Sequence, residues 1–309
     1  MIMLPQQEIV TFIYESSNRN FMANAQDLMR TDFIVADIND TVAELIGQMD
    51  RSKQGEAVVF DGTAYRGLAS KKWLLSSRID PATMKLKNIV SHRSKGKSQF
   101  FVPTLERDTD IAEIARLLST ADVHALPVIA KQNKKDKVVG IVTAMDVVGE
   151  LRNSYSKVKA NELGTMKLVT VQENDELGMA MNLMNTKKVG HIVVTDARGK
   201  LVGILSISDV VTDVHSLPRA TMRISKAASH QKGKHTGFGT GEKTNPLKLP
   251  VHNILTHVPN CCTAAPEDKI SAVIDAMVGQ NVSTAVLVKS DAPVGILTVK
   301  DILNDYAKG

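Results

Sequence analysis

One seven-residue pattern recurs along this 309-residue chain and limits its fold more than any other feature. Gly140-Ile-Val-Thr-Ala-Met-Asp146, Gly203-Ile-Leu-Ser-Ile-Ser-Asp209 and Gly295-Ile-Leu-Thr-Val-Lys-Asp301 carry glycine, aliphatic residues, a hydroxyl and an aspartate in the same order. A weaker copy, Gly67-Leu-Ala-Ser-Lys-Lys-Trp73, comes earlier. Each copy follows a short aliphatic run: AVVF, LPVIA, HIVVTD and TAVLVK. Self-similarity of this kind marks a stack of supersecondary units.

The heads of the copies also agree. Ile34-Val35-Ala36, Phe101 to Leu105, Lys167 to Val171 and Cys262-Thr263-Ala264 read as strands. Each leads into apolar residues at helical spacing, such as Leu177, Met181 and Met184, or Ile270, Val273, Ile274 and Met277. Turn-rich breaks at Asp196–Gly199 and Lys289–Pro293 predict hairpins. The unit is therefore strand, helix, hairpin, and a second helix opening at Ser/Thr-x-x-Asp. A unit with one apolar sheet face must bury it against a partner. Four units then predict two pairs, over about 20–150 and 160–309, with a boundary near 150–160. Gly67 and Gly203 lie 136 residues apart, and the connectors at Ser91-His92 and Ser229-His230 lie 138 apart, so a two-unit module is duplicated together with its connector.

A hydroxyl three residues before an acidic residue at a helix start is a capping pattern, and an isolated copy needs no other explanation. Repeated copies admit a second use. A helix N-terminus beside a hydroxyl suits phosphate, and the carboxylate can accept hydrogen bonds from ribose hydroxyls. Thr104, Thr170 and Thr263 on the first strands add a polar contact beside an aliphatic slot for a flat base.

The repeated Gly-aliphatic-x-Ser/Thr-x-x-Asp, the upstream strand threonine and Leu126-Pro127-Val128 resemble the CBS domain, and the chain resembles archaeal-type proteins with four of them. The resemblance covers nearly all of the chain except residues 1–20 and the long connector. It implies an α+β fold of four CBS repeats paired into two Bateman modules: a degenerate repeat at 20–80, repeats at 98–155, 160–218 and 251–309, and a basic Gly-rich connector at 219–250. It implies an adenine nucleotide ligand (AMP, ADP or ATP, with S-adenosylmethionine as a further option). Asp146, Asp209 and Asp301 match the family's ribose-binding aspartate. Thr143, Ser206 and Thr298 match the hydroxyl near phosphate, and Thr104, Thr170 and Thr263 the first-strand threonine. His191 stands where sensing members place a basic residue toward phosphate, and His124 is one position earlier in its own unit. Unit one departs from the pattern: Val35 replaces the threonine and Trp73 the aspartate, so its site is expected to be dead.

Charge is concentrated between the units. Residues 219–250 carry +6 and residues 85–105 carry +5, although the whole chain carries only +5. Arg93, Lys95 and Lys97 in the first connector, and Arg223, Lys226, Lys232, Lys234 and Lys243 in the second, form the footprint of phosphate-backbone binding. A solvated linker would carry similar lysines. With 4% aromatic residues, base-stacking platforms are not expected. Irregular RNA suits such loops at least as well as duplex DNA, and some archaeal tandem-CBS proteins that this chain resembles associate with inactive ribosomes.

No converging acid/base pair, nucleophile arrangement, phosphate loop or zinc motif is visible, so no enzyme is expected. Cys261 and Cys262 are adjacent and form neither a relaxed disulfide nor a zinc site. No run of 18 apolar residues occurs, and Glu8 and Glu15 do not suit a secretory signal, which predicts a cytoplasmic protein without a membrane contact. The expected function is a non-catalytic nucleotide-binding regulator that contacts RNA or the ribosome, with a homodimer as a further expectation. The alternatives are a ribosome hibernation factor using the repeats as scaffold, and an accessory subunit of an enzyme.

Overall fold

The computed structural model describes residues 23–71, 82–88, 103–132, 135–216 and 246–308. Unit one comprises α1 (Ala25–Leu28), β1 (Ile34–Asp37), α2 (Val42–Ser52), β2 (Glu56–Asp61) and β3 (Ala64–Ser70). Unit two has α3 (Ile111–Ala121), β4 (Ala125–Gln132), β5 (Lys135–Thr143) and α4 (Ala144–Glu150). Unit three has α5 (Ala160–Leu163), β6 (Thr170–Gln172), α6 (Leu177–Lys187), β7 (His191–Thr195), β8 (Leu201–Ser206) and α7 (Ile207–Ser216). Unit four has β9 (Thr256–His257), β10 (Thr263–Ala264), α8 (Ile270–Gln280), β11 (Thr284–Lys289), β12 (Ala292–Thr298) and α9 (Val299–Tyr306).

The helices α2, α3, α6 and α8 are each 11 residues long and bury one apolar stripe. In α2 the stripe is Val42, Leu45, Ile46 and Met49, behind a capping box between Thr41 and Glu44. All four end on a non-glycine residue in the left-handed region: Lys53, Asp122, Lys188 and Asn281. Such a residue costs roughly 1–2 kcal/mol, so the sharp return into the hairpin is imposed by packing. In α6 the buried set is Leu177, Ala180 and Met184, while the expected core residue Met181 is only half-buried.

Each hairpin is antiparallel and starts by pairing with the hydroxyl of the motif: Glu56 with Ser70, Ala125 with Thr143, His191 with Ser206, and Thr284 with Thr298. Each carries a register shift at the same step, after Val59, Val128, Val194 and Leu287. The first strand lies parallel beside the hairpin in units one, three and four. In unit two the strand expected over 101–105 is, among the described residues, one parallel bridge between Leu105 and Val128. Pro103 and Pro127 lack the N–H groups that a longer ladder needs. The strand expected over 167–171 is likewise shortened to β6.

Crossing segments fix the pairing of units. The residues leading into β1 lie on unit two: Asn24 bridges Asp110, and Arg30 bridges Ile141. The residues before unit two lie back on unit one, where Thr41 bridges Lys85. Later in the chain Lys159 bridges Lys269, Thr165 bridges Ile296, and Glu176 bridges Pro250. Gly140 and Gly203 sit directly under these crossings, whereas Gly67 has open space at its Cβ position and a φ of 141° that favours glycine. A Cβ on Gly203 would lie 2.3 Å from the Thr256 carbonyl oxygen, and one on Gly140 would lie 2.9 Å from that of Arg30.

Within a pair the sheets pack face to face: Val193 and Ile204 of unit three meet Val286 and Ile296 of unit four. Helices join the pairs, with α3 and α4 of unit two against α8 and α9 of unit four. Val211 of α7 enters the core of unit one. The segment near 150–160 is therefore no free linker. Leu151–Tyr155 forms a 3-10 turn whose Leu151 and Tyr155 are buried, and the Tyr155 hydroxyl bonds the Ile302 carbonyl at 3.2 Å and Asp305 at 3.0 Å.

Candidate functional site

The three Ser/Thr-x-x-Asp copies are closed capping boxes. Thr298 N–H and Oγ1 donate to Asp301 Oδ2 at 2.8 and 2.7 Å, and the Thr298 hydroxyl accepts from Asp301 N–H at 3.3 Å. Ser206 does the same for Asp209 at 2.8, 2.8 and 3.1 Å. Thr143 does so for Asp146 at 3.0, 2.6 and 3.2 Å. Capping and ligand binding are thus compatible uses of one carboxylate. Oδ2 is held by the box, which leaves Oδ1 outside it. Among the described residues, no hydrogen bond reaches Oδ1 of Asp209 or Asp301. Burial pushes the Asp209 carboxyl up from its ordinary range, against its bonds from Ser206 and the attraction of Lys71.

Unit two differs. Asp146 Oδ1 accepts two hydrogen bonds from Arg30, through Nε at 2.7 Å and through Nη2, so both of its oxygens are engaged. Sequence reasoning missed Arg30 because it lies 116 residues away and reaches Asp146 through the crossing segment.

The first-strand threonines Thr104, Thr170 and Thr263 are all exposed. Thr170 pairs with Val193, and Thr263 with Val286, residues whose own hairpin partners lie two positions before the motif hydroxyl. Threonine and capping box therefore share one sheet face, roughly 12 Å apart across two strand spacings and two residues along the strand. Between them lies the aliphatic seam of Val193, Ile204, Val286 and Ile296. Val35 occupies the equivalent position in unit one and is 56% exposed.

The hairpin starts of units one, three and four carry polar side chains. The His191 ring lies 3.2 Å from the Thr284 hydroxyl across the unit three–four seam. Burial, with a contribution from nearby His124, pushes His191 down to about 4, so it is neutral at pH 7. Glu56 holds the same register position in unit one, and burial pushes it up to about 7 despite Lys71. Lys71 also pairs with Asp50 at 2.8 Å. Glu56, Lys71 and Thr284 were missed in the sequence; the signal for Glu56 and Thr284 is their alignment opposite the motif hydroxyl. Trp73 and the basic residues Arg93, Lys95, Lys97, Arg223, Lys226, Lys232, Lys234 and Lys243 lie outside the described residues. Among the described residues no group of three or more His, Cys, Asp or Glu side chains is placed to hold a metal ion. No helix there is long and apolar enough to cross a membrane.

Paired α+β units, three of them presenting a capped aspartate beside an aliphatic seam, define a repeat-built α+β protein. The CBS domain matches residues 101–153, 160–216 and 251–308, more than half of the chain, and the chain belongs to that family. Protein MJ1404 of Methanocaldococcus jannaschii is 22% identical over 293 residues, which cover 92% of this chain and 62% of that protein. A 17.7 kDa protein of Acidianus ambivalens is 31% identical over 43% of this chain and 77% of its own length. Inosine-5'-monophosphate dehydrogenase of Thermoplasma acidophilum is 29% identical over 36% of this chain but only 21% of the enzyme. The chain spans 62% of MJ1404 and 34% of the related MJ1232, less than two thirds of either. In fold it is similar to protein MJ1225 of M. jannaschii (TM-score 0.69, 16% identity, 92% of this chain and all of that one). A Pyrococcus horikoshii protein is also similar, with a TM-score of 0.56, 15% identity and the same coverage. The chain is a CBS-domain protein.

Proposed function

We propose that this chain is a nucleotide-responsive regulator of four CBS repeats in two Bateman modules, with repeat one (20–80) degenerate and the others at 98–155, 160–218 and 251–309. Adenine nucleotides (AMP, ADP or ATP, or S-adenosylmethionine) bind at units three and four. The observation that carries this reading is the open Oδ1 of Asp209 and Asp301, held at capped helix starts beside an aliphatic seam. Ribose hydroxyls donate to these oxygens, the base enters between the paired sheets near Thr170 or Thr263, and the helix N-terminus, Ser206 or Thr298, and His191 face the phosphate side. MJ1225, described as a candidate archaeal homologue of γ-AMPK, lends support through its fold. Calorimetry with the four ligands tests the reading. Asp209→Ala and Asp301→Ala should each weaken binding by roughly 10–150-fold, the worth of a hydrogen bond to a charged group. No heat with any ligand would overturn it.

The basic connectors favour a second element of the same reading. Residues 219–250 and 85–105 concentrate +6 and +5 on a body that is otherwise acidic. They contact RNA, with the ribosome as the anionic partner, and nucleotide occupancy adjusts that grip. Replacing Lys95, Lys97, Lys232 and Lys234 by Gln should weaken comigration with ribosomal particles and flatten its salt dependence. Unchanged comigration would return the connectors to linkers.

A further inference from the structure

The three capped aspartates provide an internal comparison, because the same crossing segment passes each of them. In unit two the crossing residue is Arg30; in units four and three it is Thr165 and Thr256. The backbone contact is the same at 30 and 165: Arg30 exchanges hydrogen bonds with Ile141 at 2.8 and 2.9 Å, and Thr165 with Ile296 at 2.8 and 3.0 Å. Only the side chains differ. A threonine is too short to span to the carboxylate, whereas the guanidinium reaches it with two donors. The Asp146 side chain is 14% exposed and the Arg30 side chain 51%, so the arginine covers the carboxylate from the solvent side.

From this contrast we infer that Arg30 is the residue that sets which units accept ligand, acting as a built-in plug in the unit two site. Its Nε–H and Nη2–H occupy the Asp146 oxygen that a ribose diol needs, while the Thr143 box occupies the other. A nucleoside then has to displace a charge-assisted pair, whereas among the described residues no hydrogen-bonded cation sits on Asp209 or Asp301, Lys71 acting on Asp209 only through longer-range attraction. The apparent affinity of unit two is lowered by the fraction of time the plug is closed. Unit two is therefore withheld for a chemical reason separate from the missing groups of unit one. This inference rests on the reading of the capped aspartates as ribose acceptors.

The test is AMP binding to the full chain by calorimetry. Arg30→Thr installs the residue found at 165 and 256 and keeps both backbone bonds to Ile141. It should add one binding event to the wild-type number, with unit two tightened by about tenfold or more, since a charge-accepting oxygen is released. Arg30→Gln is neutral and close to arginine in length, and it should give the same gain if the threonine variant does not fold. The gain should vanish in Arg30→Thr/Asp146→Ala. Asp146→Ala in the wild-type background should remove no event. The inference is overturned by an unchanged number of events in the folded Arg30 variants, by a gain that survives Asp146→Ala, or by a loss of binding on removing Arg30, which would make the arginine a ligand contact. Wild-type protein that binds no AMP would refute the reading of units three and four, while the difference between Arg30→Thr and wild type would still decide the role of Arg30.

Discussion

Glu56 and His191 occupy the same register position in their hairpins, and burial displaces their proton affinities in opposite directions. Glu56 moves from 4.5 to about 7. Between those values the folded chain keeps a proton that the unfolded chain has lost, so this group's contribution to stability falls as pH rises. His191 moves from 6.5 to about 4, and here the unfolded chain holds the extra proton, so stability falls as pH drops. Each displacement corresponds to roughly 3 kcal/mol, an upper figure because both side chains keep some solvent contact. From about 4.5 to 6.5 the two slopes cancel, and together they leave the wild type nearly level. Removing one exposes the other. Glu56→Gln should gain stability over wild type as pH rises from about 4.5 to 7, reaching as much as about 3 kcal/mol. His191→Gln, which can still bond the Thr284 hydroxyl, should gain over wild type as pH falls from about 6.5 to 4. Urea unfolding of the three proteins over pH 4–8 reads both differences. A Glu56→Gln difference that stays constant across this range would refute the claim that the native site resists ionisation of this carboxylate.

Three further outcomes follow from the packing. Gly203→Ala should cost several kcal/mol, because its Cβ would meet the Thr256 carbonyl at 2.3 Å and neither backbone can yield; a melting temperature within a degree of wild type would contradict the close crossing. Thr298→Ala should cost about 0.5–2 kcal/mol through loss of the cap and should also weaken nucleotide binding by releasing Asp301, which paired denaturation and calorimetry would show. Tyr155→Phe should lose about 1 kcal/mol by removing the hydroxyl's bonds to Ile302 and Asp305, read as a lowered urea midpoint.

The parts of this fold that were legible in the sequence are those written locally and repeatedly. Val42, Leu45, Ile46 and Met49 declare a helix face by spacing alone, and Thr298 with Asp301 declares a helix start. What was illegible depends on distant partners. The motif glycine was visible, but its cause, a carbonyl from a segment 53 positions away in the case of Gly203 and Thr256, was not. Arg30 looks like any surface arginine until the crossing brings it to Asp146. The 150–160 boundary reads as polar and linker-like, and only the docking of Tyr155 on α9 reveals it as core. Phe101 to Leu105 has strand composition, yet among the described residues Pro103 and the facing Pro127 leave a single bridge, a case where composition outweighs hydrogen-bond supply in the reading but not in the molecule.

The crossing segments bear on how such a chain arose. Each unit rests on a piece of chain that belongs, in sequence, to its neighbour. A single unit copied alone would leave its own leading segment without a seat and its motif glycine without a cover. The smallest piece that can be copied and still close on itself is the pair with its connector. The bridges at Asn24, Arg30 and Thr41 accordingly recur at Lys159, Thr165 and Glu176, each 135 residues on. A gene fragment encoding one unit would be expected to recover closure by trading segments with a second copy, so the ancestral form of the module is most simply a dimer of interlocked single units.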